Sequence, residues 1–130
     1  MRVSKVFSFD SAHFLPSYHG KCETLHGHTY RLVVTVAGVP DAEGMVIDFI
    51  LLKKIVQEEV LSVLDHSLLN DILPQPTAEN IAKWVWQRIS EKVRRDRAAL
   101  FEVEVWETPT SYVRVRSEDI LESTSRGTPD

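Results

Sequence analysis

Apolar and polar positions alternate with a period of two from Val3 to His13. Val3, Phe7, Phe9 and His13 share one parity; Ser4, Ser8 and Asp10 share the other. That alternation predicts a strand with one buried face. A polar loop with Gly20 follows from Pro16 to Glu23. His26 to Ala37, rich in β-branched Val33, Val34, Thr35 and Val36, predicts a second strand. Gly38, Pro40, Asp41 and Gly44 mark a turn region. The period then changes. Leu52, Ile55, Val56, Val60 and Val63 form a stripe at helical spacing, predicting a helix over 49–64 with Asp48 as N-cap. Asp65-His66-Ser67 ends it, and Pro74-Gln75-Pro76 punctuates the loop beyond. Thr77 suits the N-cap of a second helix, with Glu79 in its first turn and Ala78, Ala82, Val85, Ile89 and Val93 on its buried face. Trp84 and Trp86 on that helix read as packing residues. Leu100–Glu107 and Tyr112–Arg116 predict two further strands.

The order β-β-α-α-β-β implies an α+β layer: an antiparallel four-stranded sheet with two helices on one face. Such a sheet has two open edges, and joining them between subunits predicts an oligomer. One domain over 1–116 is expected, followed by a polar tail over 117–130, with Gly127 and Pro129, that frays.

Composition narrows the function classes. The formal net charge is −4 with no long basic run, which argues against a nucleic-acid partner. No apolar stretch approaches the ~20 residues of a membrane span. The start, Met1-Arg2-Val3-Ser4-Lys5, lacks the apolar core of a signal peptide. A lone cysteine, Cys22, makes no internal disulfide, which fits a reducing cytoplasm and leaves the thiol free to react.

The chemistry concentrates in a few positions. His26 and His28 are two apart, so on a strand their imidazoles share a face, and His13 ends the preceding strand. Three imidazoles suit zinc and leave one vertex of a tetrahedron free, as in catalytic sites. The plainer alternative is a tight turn with two exposed imidazoles. Gly27 between the ligands would let another group approach closely. Cys22 follows Lys21 and lies beside the expected dication, and both charges favour the thiolate. It suits a base, a nucleophile or a fourth zinc ligand. Asp65-His66 reads either as a helix C-terminus or as a carboxylate orienting an imidazole for proton transfer, the second needing a turn here. On the third strand Phe101, Val103, Val105 and Glu107 share one face, whereas Glu102 and Glu104 share the other with Trp106 and look solvated. Glu107 thus ends an apolar row and needs a partner. An amidine-like edge with two N–H donors would suit it, unless the strand has already ended and Glu107 faces water.

Taken together, Phe9-Asp10-Ser11-Ala12-His13, Cys22-x-x-x-His26-Gly27-His28, Gly44-Met45-Val46-Ile47-Asp48-Phe49, Leu64-Asp65-His66, Leu69-Asn70, Pro76-Thr77-Ala78-Glu79-Asn80 and Glu107-Thr108 resemble the 6-pyruvoyl-tetrahydropterin synthase / 6-carboxy-tetrahydropterin synthase family. The resemblance covers roughly residues 3–116. It implies the tunnelling fold, with trimers closing a barrel and two trimers stacking as a hexamer. It implies that His13, His26 and His28 hold zinc and that Cys22 accepts the catalytic proton. Asp65 and His66 would form a relay, open to serving a neighbouring subunit's zinc because the family's sites lie between subunits, and Glu107 with Thr108 would bind the pterin. The three-residue gap between Cys22 and His26 resembles the 6-carboxy branch of queuosine (7-deazaguanine) biosynthesis. That branch converts 7,8-dihydroneopterin triphosphate to 6-carboxy-5,6,7,8-tetrahydropterin, releasing triphosphate and acetaldehyde. Lys21, Arg31 and Lys54 are triphosphate candidates by charge alone. Competing expectations are a 6-pyruvoyl-tetrahydropterin synthase, a non-catalytic zinc-stabilised pterin binder and a zinc hydrolase.

Overall fold

The computed structural model of the chain describes residues 1–21 and 23–121; Cys22 and residues 122–130 lie outside the described residues. Strands β1 (Arg2–His13) and β2 (His26–Gly38) pair antiparallel along their whole length, with His13 opposite His26 and Arg2 opposite Ala37. Helix α1 (Phe49–Val56) runs through a π-helical turn (Gln57–Leu61) into a last α turn, α2 (Ser62–Leu64). Strand β3 (Ser67–Leu68) and a 3-10 turn (Leu69–Asp71) lead to α3 (Ala78–Val93). Strands β4 (Ala98–Thr108) and β5 (Ser111–Val115) follow.

The sheet order is β3-β1-β2-β4-β5. It holds five strands where the hydrophobic pattern predicts four. The addition, β3, pairs parallel with Ser11 and Ala12 over only two residues, too short to show any alternation. Both expected caps form: Asp48 accepts from the Ile50 N–H at 2.8 Å, and Thr77 accepts from the Asn80 N–H at 3.1 Å.

Cross-strand partners share a face. Phe7, Phe9, Ser11 and His13 therefore point to the same side as Leu32, Tyr30, His28 and His26. This side packs under the helices, where Leu52, Val56, Val60 and Leu64 meet Ile81, Ala82, Val85 and Ile89 in one buried core. Each buried leucine, isoleucine or valine among them contributes about 1.5–3 kcal/mol through burial. The helical stripe is buried every fourth residue because the π turn slows its rotation. Trp86 is buried and Trp84 half-buried against this core, as packing residues.

A bulge corrects the expected parity of β4. The register shifts between Thr35 and Val36: Leu100 faces Val36, Glu102 faces Thr35, and Phe101 is the extra residue. Leu100 takes the core position, and the Arg2 and Arg116 guanidinium groups stack on Phe101, 3.9 and 4.6 Å from its centroid. Glu102 keeps the expected face with Glu104 and Trp106, yet it is not solvated. It is buried and bonded by the Arg116 Nε at 2.9 Å. Beyond β5, residues 117–121 form a helical turn whose Ile120 packs against the core. No helix among the described residues is long and apolar enough to cross a membrane.

Candidate metal centre and proton-transfer dyad

One end of the sheet carries the site. The C-terminus of β1 supplies His13, the N-terminus of β2 supplies His26 and His28, and the C-terminus of β4 supplies Glu107. Because β2 lies between β1 and β4, residues of one parity on three adjacent strands meet. The three imidazole centroids stand 4.7, 4.8 and 5.2 Å apart, edge to face. His13 Nε2 and His26 Nε2 are 3.1 Å apart. Glu107 Oε1 lies 3.3 Å from His13 Nε2 and 3.1 Å from His28 Nε2. One ligand atom from each of the four residues falls within 4.8 Å of every other.

The outer hydrogen bonds decide which nitrogens carry protons. His13 Nδ1 lies 2.8 Å from the Pro76 carbonyl, and His26 Nδ1 lies 2.8 Å from the Thr24 carbonyl. A carbonyl only accepts, so both Nδ1 atoms donate, and a ring that carries its single proton there presents a bare Nε2 to the cluster. Two lone pairs 3.1 Å apart repel unless a cation lies between them. His28 Nε2 is buried with no hydrogen-bond partner among the described residues; Glu107 is near but outside hydrogen-bonding geometry. Burial, the largest influence, lowers the His28 pKa despite the opposing Glu107 charge, so the ring is neutral and able to ligate. Carbonyl-directed N–H groups behind bare nitrogens, with one buried nitrogen unpartnered among the described residues, make a donor set that could hold a divalent metal ion, and its imidazoles suit zinc.

Tyr30, stacked on Phe9 at 4.9 Å, buttresses the set. Its hydroxyl lies 3.3 Å from His13 Nδ1, and burial raises its pKa so that it stays neutral. The residue pattern did not single it out, although it follows His28 by two positions and shares its parity. The Pro76 and Thr24 carbonyls are backbone groups with no sequence signature. At Gly27 an added Cβ would lie 3.6 Å from the Ser11 carbonyl, an ordinary contact, so no group among the described residues makes the close approach expected there.

Asp65 and His66 are brought together, but apart from the histidines. His66 adopts φ +56°, the turn that a relay requires, and its Nδ1 lies 3.0 Å from Asp65 Oδ1. Asp65 Oδ1 also accepts the Asp10 N–H at 3.0 Å; this bond, its largest influence, holds the carboxyl below its ordinary pKa. The His66 N–H bonds the Asp10 carbonyl at 2.6 Å, and Ser11 Oγ donates to the Leu64 carbonyl, tying the helix end to β1. Asp10 accepts from the Thr29 hydroxyl at 2.6 Å. Asp10 and Thr29 have the parity opposite to His13 and His28, and the His66 side chain is 78% exposed. An open groove of about 680 Å³ runs past Asp10, Leu25, Gly27, His28, His66 and Leu68. A larger groove, about 1150 Å³, lies at the opposite end of the sheet between Val39–Asp48 and Arg94–Ala98 and holds none of these residues.

The remaining expected residues fall around this end. Cys22 lies outside the described residues. Its neighbours are anchored: Lys21 exchanges backbone bonds with Tyr18, and Glu23 exchanges an N–H and a carboxylate bond with Leu15. Thr108 opens the turn into β5 and accepts the Thr110 N–H at 3.3 Å. Arg31 stacks over Trp106, 5.3 Å from its centroid, on the sheet face away from the histidines.

Residues 2–118 match the 6-pyruvoyl tetrahydropterin synthase family. The chain belongs to this family. It is 34% identical to 6-carboxy-5,6,7,8-tetrahydropterin synthase of Haemophilus influenzae, over 85% of this chain and 95% of that one. It is 42% identical to the Synechocystis protein of the same name, over 86% and 90%. Its fold superposes on the Caenorhabditis elegans 6-pyruvoyl tetrahydropterin synthase structure with a TM-score of 0.76 and 28% identity, over 90% and 95%. Membership of the 6-pyruvoyl tetrahydropterin synthase family makes the chain a pterin lyase of α+β tunnelling fold, with a sheet that one subunit leaves open.

Proposed function

We propose that the chain is a zinc-dependent 6-carboxy-5,6,7,8-tetrahydropterin synthase, a carbon–carbon lyase of queuosine (7-deazaguanine) biosynthesis working in the cytoplasm. The observation that carries the reading is the set of bare His13 and His26 nitrogens beside the buried, unpartnered His28 Nε2. His13, His26 and His28 hold zinc, which supplies Lewis acidity toward the side-chain hydroxyls of 7,8-dihydroneopterin triphosphate. Glu107 and Thr108 grip the aminopyrimidine edge, where a carboxylate accepts two parallel N–H bonds. Cys22 takes a proton from the substrate side chain. His66, held by Asp65, moves the others. Triphosphate leaves, a water adds to the side-chain carbon next to the ring and supplies the second carboxyl oxygen, the side-chain carbon–carbon bond breaks, and acetaldehyde departs from the 6-carboxy product.

The opposite parity of the dyad's anchors supports a site shared between subunits: His66 serves the metal of a neighbouring copy. β1 outside Ser11–Ala12 and the whole of β5 are unpaired edges among the described residues, ready to join copies into a trimer, and two trimers into a hexamer. The synthase unit spans residues 1–116.

Incubating the zinc-loaded protein with dihydroneopterin triphosphate and identifying the products by mass tests this. Triphosphate, acetaldehyde and 6-carboxytetrahydropterin in equal amounts are expected. A 6-pyruvoyl product without acetaldehyde moves the chain to the pyruvoyl branch, the name carried by the C. elegans relative. Tight pterin binding without turnover makes it a binder.

A further inference from the structure

We propose that Glu107 exchanges partners: it completes the metal's donor set while no pterin is present, and swings away to hold the aminopyrimidine edge when a pterin arrives, so that the ligand itself opens the metal's reactive vertex. The exchange rests on the pterin reading given above. Its ground is a conflict of geometry. One carboxylate is asked to grip a ring edge, yet its Oε1 lies 3.3 and 3.1 Å from the Nε2 atoms of His13 and His28, inside the cluster of donor atoms.

Three observations favour exchange over a fixed role. First, the Glu107 carboxylate accepts no hydrogen bond from any described residue. Its close polar neighbours are the two imidazole nitrogens, and His13 Nε2 has no proton to give because its Nδ1 faces Pro76. A carboxylate beside a bare nitrogen is stable there only with a cation between them. Second, Glu107 sits where the β4–β5 register slips between Trp106 and Thr108. Bulges cluster next to active sites, and here Glu107, still on the histidine face, has no regular cross-strand partner on β5. Third, its side chain is 31% exposed, whereas His13 is 2% exposed. The carboxylate borders solvent and has room to turn; the imidazole behind it does not.

The exchange has a chemical use. An oxygen donor from Glu107 keeps water off the metal until a pterin draws the carboxylate away. The resting protein is thereby a poor zinc hydrolase. Opening the vertex is coupled to the one ligand class with two parallel N–H donors.

Cobalt-loaded protein provides the test, because its visible spectrum follows the metal's donor set. The probe is 6-methylpterin, which has the aminopyrimidine edge but no side-chain hydroxyls to touch the metal. In the unaltered protein we expect the cobalt spectrum to shift as 6-methylpterin binds. In Glu107→Gln we expect an altered spectrum before any pterin is added, no further shift afterwards, and zinc binding weaker by about 10-fold or more. Identical cobalt spectra for Glu107→Gln and the unaltered chain overturn the exchange. So does 6-methylpterin binding, followed by its own fluorescence, with an unmoved cobalt spectrum in the unaltered chain; that titration needs no variant to fold. Failure of 6-methylpterin to bind at all overturns the pterin reading and the exchange with it.

Discussion

Among the described residues, two clusters have the composition of a metal site: His13, His26, His28 and Glu107 in one, and Asp10, Asp65 and His66 in the other. In both, the candidate ligand atoms lie within 4.8 Å of one another. Their surroundings differ. In the first, backbone carbonyls take the outward N–H groups, a buried nitrogen has no hydrogen-bond partner, and lone pairs face one another. In the second, each group is answered by another: Asp10 N–H and His66 Nδ1 engage Asp65, and the Thr29 hydroxyl engages Asp10. Donor count therefore does not separate a candidate metal centre from a candidate proton relay. The direction of the second hydrogen bond on each ring, and whether a demand is left unmet, does.

The sharpest way to break this contrast is His26→Ala or His13→Ala. Either is expected to abolish metal binding and turnover together, because an open catalytic site rests on three protein ligands. His66→Ala and Cys22→Ala are expected to keep the metal while turnover falls by about 10²–10⁴-fold, the usual worth of a positioned acid or base. Steady-state rates alongside metal analysis check both, and near-normal turnover of Cys22→Ala removes the thiol from the mechanism. Mixing inactive His13→Ala with inactive His66→Ala chains sharpens the contrast further. If the dyad serves a neighbour, mixed oligomers regain activity; if it serves its own chain, they stay dead.

Smaller effects follow. Metal removal by a chelator is expected to lower the thermal midpoint of the unaltered protein and leave that of His26→Ala unmoved. Free metal at 100 times its Kd adds about 2.7 kcal/mol. The least effect concerns acid. Asp65 has a depressed native pKa, so its contribution to stability is full above the unfolded carboxylate value of about 3.9 and is lost as pH falls through the lower native value. Asp65→Asn is expected to unfold less steeply on acidification through that window than the unaltered chain, as circular dichroism would follow.

Much of the metal centre was legible in the sequence, because strands carry side chains to fixed faces. The parity of His13, His26 and His28 needed only period-two counting, and Glu107 could be placed at the end of an apolar row. The counting failed where the chain departs from period two. The extra residue at Phe101 gave the core position to Leu100, and Arg116 covers Glu102 on the outer face; no pattern of residue types announces either. The π turn and the two-residue β3 are likewise set by packing. The Asp65–His66 pairing depends on a positive φ at a histidine, which sequence leaves open. The Pro76 and Thr24 carbonyls that fix the imidazole protons are backbone atoms, beyond the reach of any reading of side chains.

The most direct measurement is metal content per chain, by elemental mass spectrometry, in the unaltered protein, His26→Ala and His66→Ala purified alike. The account predicts one zinc per chain in the first and third and none in the second. Zinc retained by His26→Ala, or lost from His66→Ala, would contradict it.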